Sequence, residues 1–194
     1  MTREIKEAIK VLKQGGIVIY PTDTAFGIGC RMDDEEAVKK LFSVRKRPNS
    51  QAVPLLCDSI GMVISYVTAV PETVEKELML KYWPGALTIV LPANIEKIPG
   101  LVRGGGVTIG MRIPSHEVPL SLISGLGVPL IGTSANFHGE PTPYKFADLN
   151  PMLYNLVDYV IPGTTSIGKE STVIDCSQEV WEIKRQGAIH ITSY

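Results

Sequence analysis

Short apolar runs in this sequence repeatedly end in hydroxyl, glycine, acid or arginine residues, and those types at such ends suit recognition of small polar and anionic molecules. Pro21-Thr22-Asp23-Thr24-Ala25-Phe26-Gly27-Ile28-Gly29-Cys30 carries two hydroxyls and a carboxylate off one such run, then two glycines that let a backbone approach a ligand closely. A tight turn accounts for the same residues. Arg45-Lys46-Arg47 gathers three cations at the end of a helical segment. They complement the helix dipole on a solvated face, or they meet phosphate through the planar fork of arginine.

Thr108-Ile109-Gly110-Met111-Arg112 and Gly132-Thr133-Ser134-Ala135-Asn136 each set polar groups into or after an apolar run. A guanidinium is costly to bury alone, so Arg112 should face an anion, either a ligand's or one of the protein's own 20 acids. Glu170-Ser171-Thr172 precedes the run Val173-Ile174-Asp175, and Arg185 follows the last apolar segment. Two lookalikes are weighed; the first is rejected and the second, a serine hydrolase, stays a minor third reading. Gly163-Thr164-Thr165-Ser166-Ile167-Gly168-Lys169-Glu170 approximates a P-loop, but Glu170 stands at the hydroxyl position, would repel phosphate, and leads into a strand rather than a helix. Gly132-Thr133-Ser134-Ala135-Asn136 approximates a nucleophile elbow without its second glycine, and only His190 lies late enough to complete a triad.

Such groups can meet only if strand ends converge, and the rest of the chain supports that. Ile5, Ala8, Ile9 and Leu12 share one face of a helix over 2–14, with Thr2 as cap and Gly15-Gly16 as stop. Further helices are predicted over about 34–44, from Pro71 to about Trp83, and over 116–126. Strands are predicted over 17–20, 53–57, 86–91, 107–113, 128–133, 159–161, 172–176 and 180–183. Alternating helices and apolar strands imply an α/β domain around one twisted, open, mixed sheet, a single domain over 1–194, with Pro141-Thr142-Pro143 as its most mobile connection.

The 194 residues are 44% hydrophobic and 20% charged, as in a globular protein. Lys plus Arg (19) against Asp plus Glu (20) gives a net charge of −1, which excludes a chain-wide polycation gripping nucleic acid. Cys30, Cys57 and Cys176 form no Cys-x-x-Cys pair, and His116, His138 and His190 lack metal-ligand spacing. The charged, amphipathic start and the lack of a long apolar run imply a cytoplasmic protein with no membrane association.

In combination these segments resemble the YrdC family, which makes threonylcarbamoyl-AMP for N6-threonylcarbamoyladenosine (t6A) modification of tRNA. The resemblance rests on Pro21-Thr22-Asp23-Thr24 with Gly27 and Gly29, Arg45-x-Arg47-Pro48, Trp83-Pro84-Gly85-Ala86-Leu87-Thr88, Thr108 through Arg112-Ile113-Pro114, Ser134-Ala135-Asn136, Glu170 through Asp175, and Arg185 with Gly187-Ala188-Ile189. It implies a YrdC-like α/β fold with a concave basic face, and a nucleotidyltransferase that joins L-threonine, bicarbonate and ATP and releases pyrophosphate. It also implies Mg2+ on the ATP phosphates, a downstream t6A transferase complex, and contact with tRNA or double-stranded RNA.

By the same resemblance, Arg47, Ser134 and Asn136 are the catalytic positions. Thr24, Arg112, Gly132 and Ser171 hold L-threonine, and Arg45, Arg47, Thr108, Ser134, Thr142 and Arg185 hold ATP. Metal ligands are left unassigned. The chain differs from the family pattern at Val53, Asp58 and His138, and has arginine at 45 where lysine is usual. An RNA-binding module, or a paralogue without synthase activity, is the alternative. Retention of the basic and Ser-x-Asn elements favours the synthase.

Overall fold

The structure is a computed structural model and describes residues 1–191. Helix α1 (Arg3–Lys13) buries Ile5, Ala8, Ile9 and Leu12, and its cap Thr2 accepts from the Ile5 amide at 3.4 Å. Asp34 caps α2 (Glu35–Arg45) by accepting from the Ala37 amide at 3.0 Å. His116 caps α6 (Glu117–Leu126) through Nδ1, and Gly127 closes that helix with a left-handed φ of 71°. The segment after Pro71 forms α4 (Glu72–Val74), a π-helical turn (Glu75–Met79) and α5 (Leu80–Tyr82), with α3 (Ile60–Tyr66) before it and α7 (Pro151–Tyr154) near the end.

The strands are β1 (Val18–Pro21), β2 (Phe26–Gly29), β3 (Leu55–Leu56), β4 (Leu87–Pro92), β5 (Thr108–Arg112), β6 (Leu130–Ile131), β7 (Thr133–Ser134), β8 (Tyr159–Val160), β9 (Thr172–Asp175) and β10 (Glu182–Arg185). The fold is α/β with mixed pairing, as expected, and the strands divide between two sheets. The smaller runs β7-β2-β1-β8 and the larger β10-β9-β4-β5-β3-β6. Parallel pairs are β1/β8, β3/β5 and β4/β9; the remainder are antiparallel. One buried cluster includes Ile19, Phe26, Leu55, Leu87, Ile89 and Met111 from both sheets, and another packs α1 and α6 over Tyr20 and Leu130. No helix among the described residues is long and apolar enough to cross a membrane.

Two departures from the predicted elements shape the site. Phe26–Gly29 is a strand, β2, pairing β1 on one side and β7 on the other, rather than a glycine loop. Its Gly29 lets the end of β6 pass close by, because a Cβ there would overlap the Ile131 carbonyl. The predicted strand over 128–133 divides at Gly132, where the chain leaves the large sheet for the small one. The Gly132 amide donates to Pro54 O at 3.0 Å, and a Cβ would lie 2.7 Å from Leu56 Cδ1. Gly132→Ala is therefore expected to cost about 1–3 kcal/mol through overpacking, read as a lower midpoint in urea unfolding.

Candidate active site

A hollow of about 340 Å³ opens between the sheets, within the size range of small-molecule sites. Alternate residues of the large sheet line one side, among them Thr88 and Val90 of β4 and Gly110 and Arg112 of β5, because residues two apart on a strand share a face. The small sheet contributes Phe26 and Gly27 of β2 and Thr133 and Ser134 of β7. Arg47, Arg112 and Arg185, far apart in sequence, all line this one hollow, as do Thr24, Gly132, Ser134, Thr142 and Ser171.

Arg112 is 6% exposed. Its Nε donates to Gly85 O at 2.9 Å, Nη1 to Thr24 Oγ1 at 2.8 Å and Nη2 to Asp23 Oδ1 at 2.5 Å. The anion it faces is thus the protein's own Asp23, which is 1% exposed and whose Oδ2 accepts no hydrogen bond from the described residues. Burial draws the Arg112 pKa down, and Asp23 opposes the shift. Of the five N–H groups a guanidinium carries, three are engaged this way, so two remain for a ligand.

Arg45 corrects the sequence reading. It does not line the hollow, and it is 2% exposed. Nε donates to Asn136 O (2.9 Å), Nη1 to Thr133 Oγ1 (2.5 Å) and Nη2 to Asn136 Oδ1 (2.8 Å), so the guanidinium fastens β7 and the turn after it instead of awaiting phosphate. Burial, and secondarily Arg47, bring its pKa down to about 10. Asn136 is likewise behind the wall rather than in it. Its Oδ1 accepts from Ser134 Oγ at 2.7 Å and its Nδ2 donates to Glu140 O at 2.5 Å, which makes it a positioning residue for Ser134. Thr108 shares the pleat face of Gly110 and Arg112 but lies beyond the lining residues.

Arg47 is partly buried, and burial lowers its pKa. Nε and Nη2 donate to Gln51 O (3.2 Å) and Ala52 O (2.6 Å). Arg185 ends β10 rather than following it, and binds Ser171 O through Nε (3.1 Å) and Nη2 (2.9 Å). Its Nη1 lies 2.9 Å from Glu170 Oε2, and Glu170 Oε1 accepts from Thr142 Oγ1 at 2.8 Å. Ser171 Oγ stands 2.9 Å from Thr88 Oγ1. Thr142, predicted as part of a mobile connection, is therefore tied into the site. Sequence reasoning did not assign Thr88 or Glu170 to the site, although both sit inside motifs it used. Val53 is buried and lines the hollow, whereas Asp58 and His138 are not among its lining residues.

The sequence profile of the Sua5/YciO/YrdC family, described as telomere recombination, matches residues 10–187. The chain belongs to this family. Within the family it is 33% identical over 190 residues to a threonylcarbamoyl-AMP synthase of Bacillus subtilis (strain 168), covering 96% of this chain and 54% of that protein. The crystal structure of P. abyssi Sua5 complexed with L-threonine superposes with a TM-score of 0.89 at 34% identity, over 94% of this chain and 54% of that one. E. coli YciO superposes with a TM-score of 0.85 at 28% identity, over 95% of this chain and 89% of that one. The chain thus spans about half the length of that Bacillus synthase and of that Sua5.

Proposed function

We propose that this chain is a threonylcarbamoyl-AMP synthase acting as one YrdC-like domain in the cytoplasm, using L-threonine, bicarbonate and ATP. The observation that carries the proposal is the convergence of Arg47, Ser134, Arg112 and Arg185 on one hollow between the sheets. Arg112, held by Asp23 and Thr24, offers its remaining N–H groups to the threonine carboxylate, beside the hydroxyls of Thr24 and Ser171 and the Gly132 backbone. Arg47, with three N–H groups beyond its two carbonyl partners, faces the phosphates with Ser134.

The threonine amine attacks bicarbonate, water leaves, and a carbamate forms. A carbamate oxygen then attacks the α-phosphorus and the bond to the β-phosphate breaks, releasing pyrophosphate. The side chains align the reactants and stabilise charge, so no protein nucleophile is needed. Magnesium enters as part of the ATP substrate. The lining holds one carboxylate, Glu170, already engaged with Thr142 and Arg185, and no cluster of three or more metal-ligating residues occurs among the described residues. The adenylate product calls for a transferase that places the threonylcarbamoyl group on tRNA adenosine.

Pyrophosphate release by the purified chain is expected to require threonine and bicarbonate together. Equal release without threonine refutes the assignment, and RNA affinity indifferent to ATP, with no release, supports the binding-module alternative. Arg47→Ala is expected to weaken ATP binding about ten- to a hundredfold by calorimetry. Its urea midpoint should stay near that of the unmodified protein, because the lost bonds are to exposed carbonyls.

A further inference from the structure

A site for a polyanion that lines itself with a carboxylate needs an explanation, and Glu170 is the one acid among the described residues that line the hollow. Its two oxygens accept from Thr142 Oγ1 (2.8 Å) and Arg185 Nη1 (2.9 Å), so Arg185 is locally neutralised. Arg47 is different. Its described partners are the carbonyls of Gln51 and Ala52, which leave its charge uncompensated.

These two arginines stand at opposite ends of the hollow. The large sheet runs β10-β9-β4-β5-β3, with Arg185 ending β10 and Arg47 gripping the approach to β3 through Ala52 O. The Arg185 guanidinium itself rests on Ser171 O at the start of β9, so the two charges lie about three strand spacings apart, roughly 14 Å at the usual separation. The hollow therefore has a cationic end at Arg47 and an acid-bearing, charge-paired end at Glu170. A triphosphate is attracted to the first and repelled by the second.

Resting on the synthase reading, we infer that Glu170 receives the ribose hydroxyls of ATP and so sets the direction in which the nucleotide lies. An ionised carboxylate has about four lone-pair positions, of which Thr142 and Arg185 fill two. Hydroxyl-to-carboxylate bonds are charge-assisted and reject an analogue that lacks the hydroxyl. The pair is also partly exposed, at 35% for the Glu170 side chain and 44% for Arg185, which suits a sugar that keeps contact with water. The acid that disqualifies the neighbouring glycine-rich stretch as a phosphate loop thus acquires a use at the sugar.

Calorimetric titration of the full chain with ATP, 2′-deoxyATP, 3′-deoxyATP, ITP and tripolyphosphate tests this. The unmodified protein is expected to bind ATP about tenfold tighter than at least one deoxy analogue. Glu170→Gln, which keeps the shape and an acceptor for Thr142, should reduce that ratio to about threefold or less without weakening tripolyphosphate binding. Equal binding of ATP and both deoxy analogues by the unmodified protein overturns the inference without need of a variant. So does a Glu170→Gln change that falls equally on ATP and tripolyphosphate, or one that instead abolishes discrimination against ITP, which would place the adenine amine at this acid. If discrimination is present and sensitive to Glu170 but threonine and bicarbonate yield no pyrophosphate, the synthase reading fails and the sugar subsite stands.

Discussion

Arg112→Ala is expected to lower unfolding stability by about 3–5 kcal/mol, far more than loss of a ligand contact would explain. Asp23 is 1% exposed, and its link to Arg112 at 2.5 Å is a buried ion pair. Removing the cation leaves a carboxylate already short of one hydrogen-bond partner with no compensating charge. Asp23→Asn combined with Arg112→Met should recover much of the loss, because two neutral groups are less costly there than one unpaired charge. Threonine affinity should not return in that double variant. Urea unfolding of Asp23→Asn, Arg112→Met and the double variant gives the coupling energy, and simple additivity would show that the ion pair is not the source of the effect.

Arg45→Ala is expected to be comparably damaging, at about 3 kcal/mol or more, by orphaning Asn136 O, Asn136 Oδ1 and Thr133 Oγ1 behind the hollow. ATP affinity should fall with it, since Thr133 and Ser134 form part of the wall. Arg45→Lys restores the charge, but one ammonium cannot reach three acceptors spread around a planar fork, so recovery should be partial. The contrary outcome is specific. If Arg45→Ala unfolds at the unmodified midpoint yet loses ATP binding a hundredfold, the residue contacts phosphate directly and its buried position misleads.

Much of this architecture was legible in the sequence where local chemistry is decisive. The apolar face of α1, its Thr2 cap and the extents of α2 and α6 follow from apolar spacing and local chemistry. What was not legible depends on neighbours distant along the chain. Arg45 lies at a helix C-terminus, where a solvated or phosphate-facing cation is the natural reading, and its burial arises only because β7 passes beside it. Nothing in the spacing marks Asp23, among 20 acids, as the partner of Arg112. The strand β2 was hidden because its glycines suggest a loop, while tertiary contact with β1 and β7 decides the matter. The convergence of Arg47, Ser134 and Arg185 was expected from the family resemblance, and their common hollow is visible only in three dimensions.

The passage of the chain from one sheet to the other at Gly132 has a mechanical corollary. Leu130 and Ile131 belong to one slab and Thr133 and Ser134 to the opposing one, so Gly132 is the shortest of three places where the chain passes between the sheets, and Arg45 fixes β7 just beyond it. Spreading the slabs apart at this crossing strains the Gly132–Pro54 bond and the core cluster that both sheets share. The aperture therefore behaves as a fixed gauge for its cargo, and the Gly132 amide, watched by hydrogen exchange, reports each moment at which the gauge gives way.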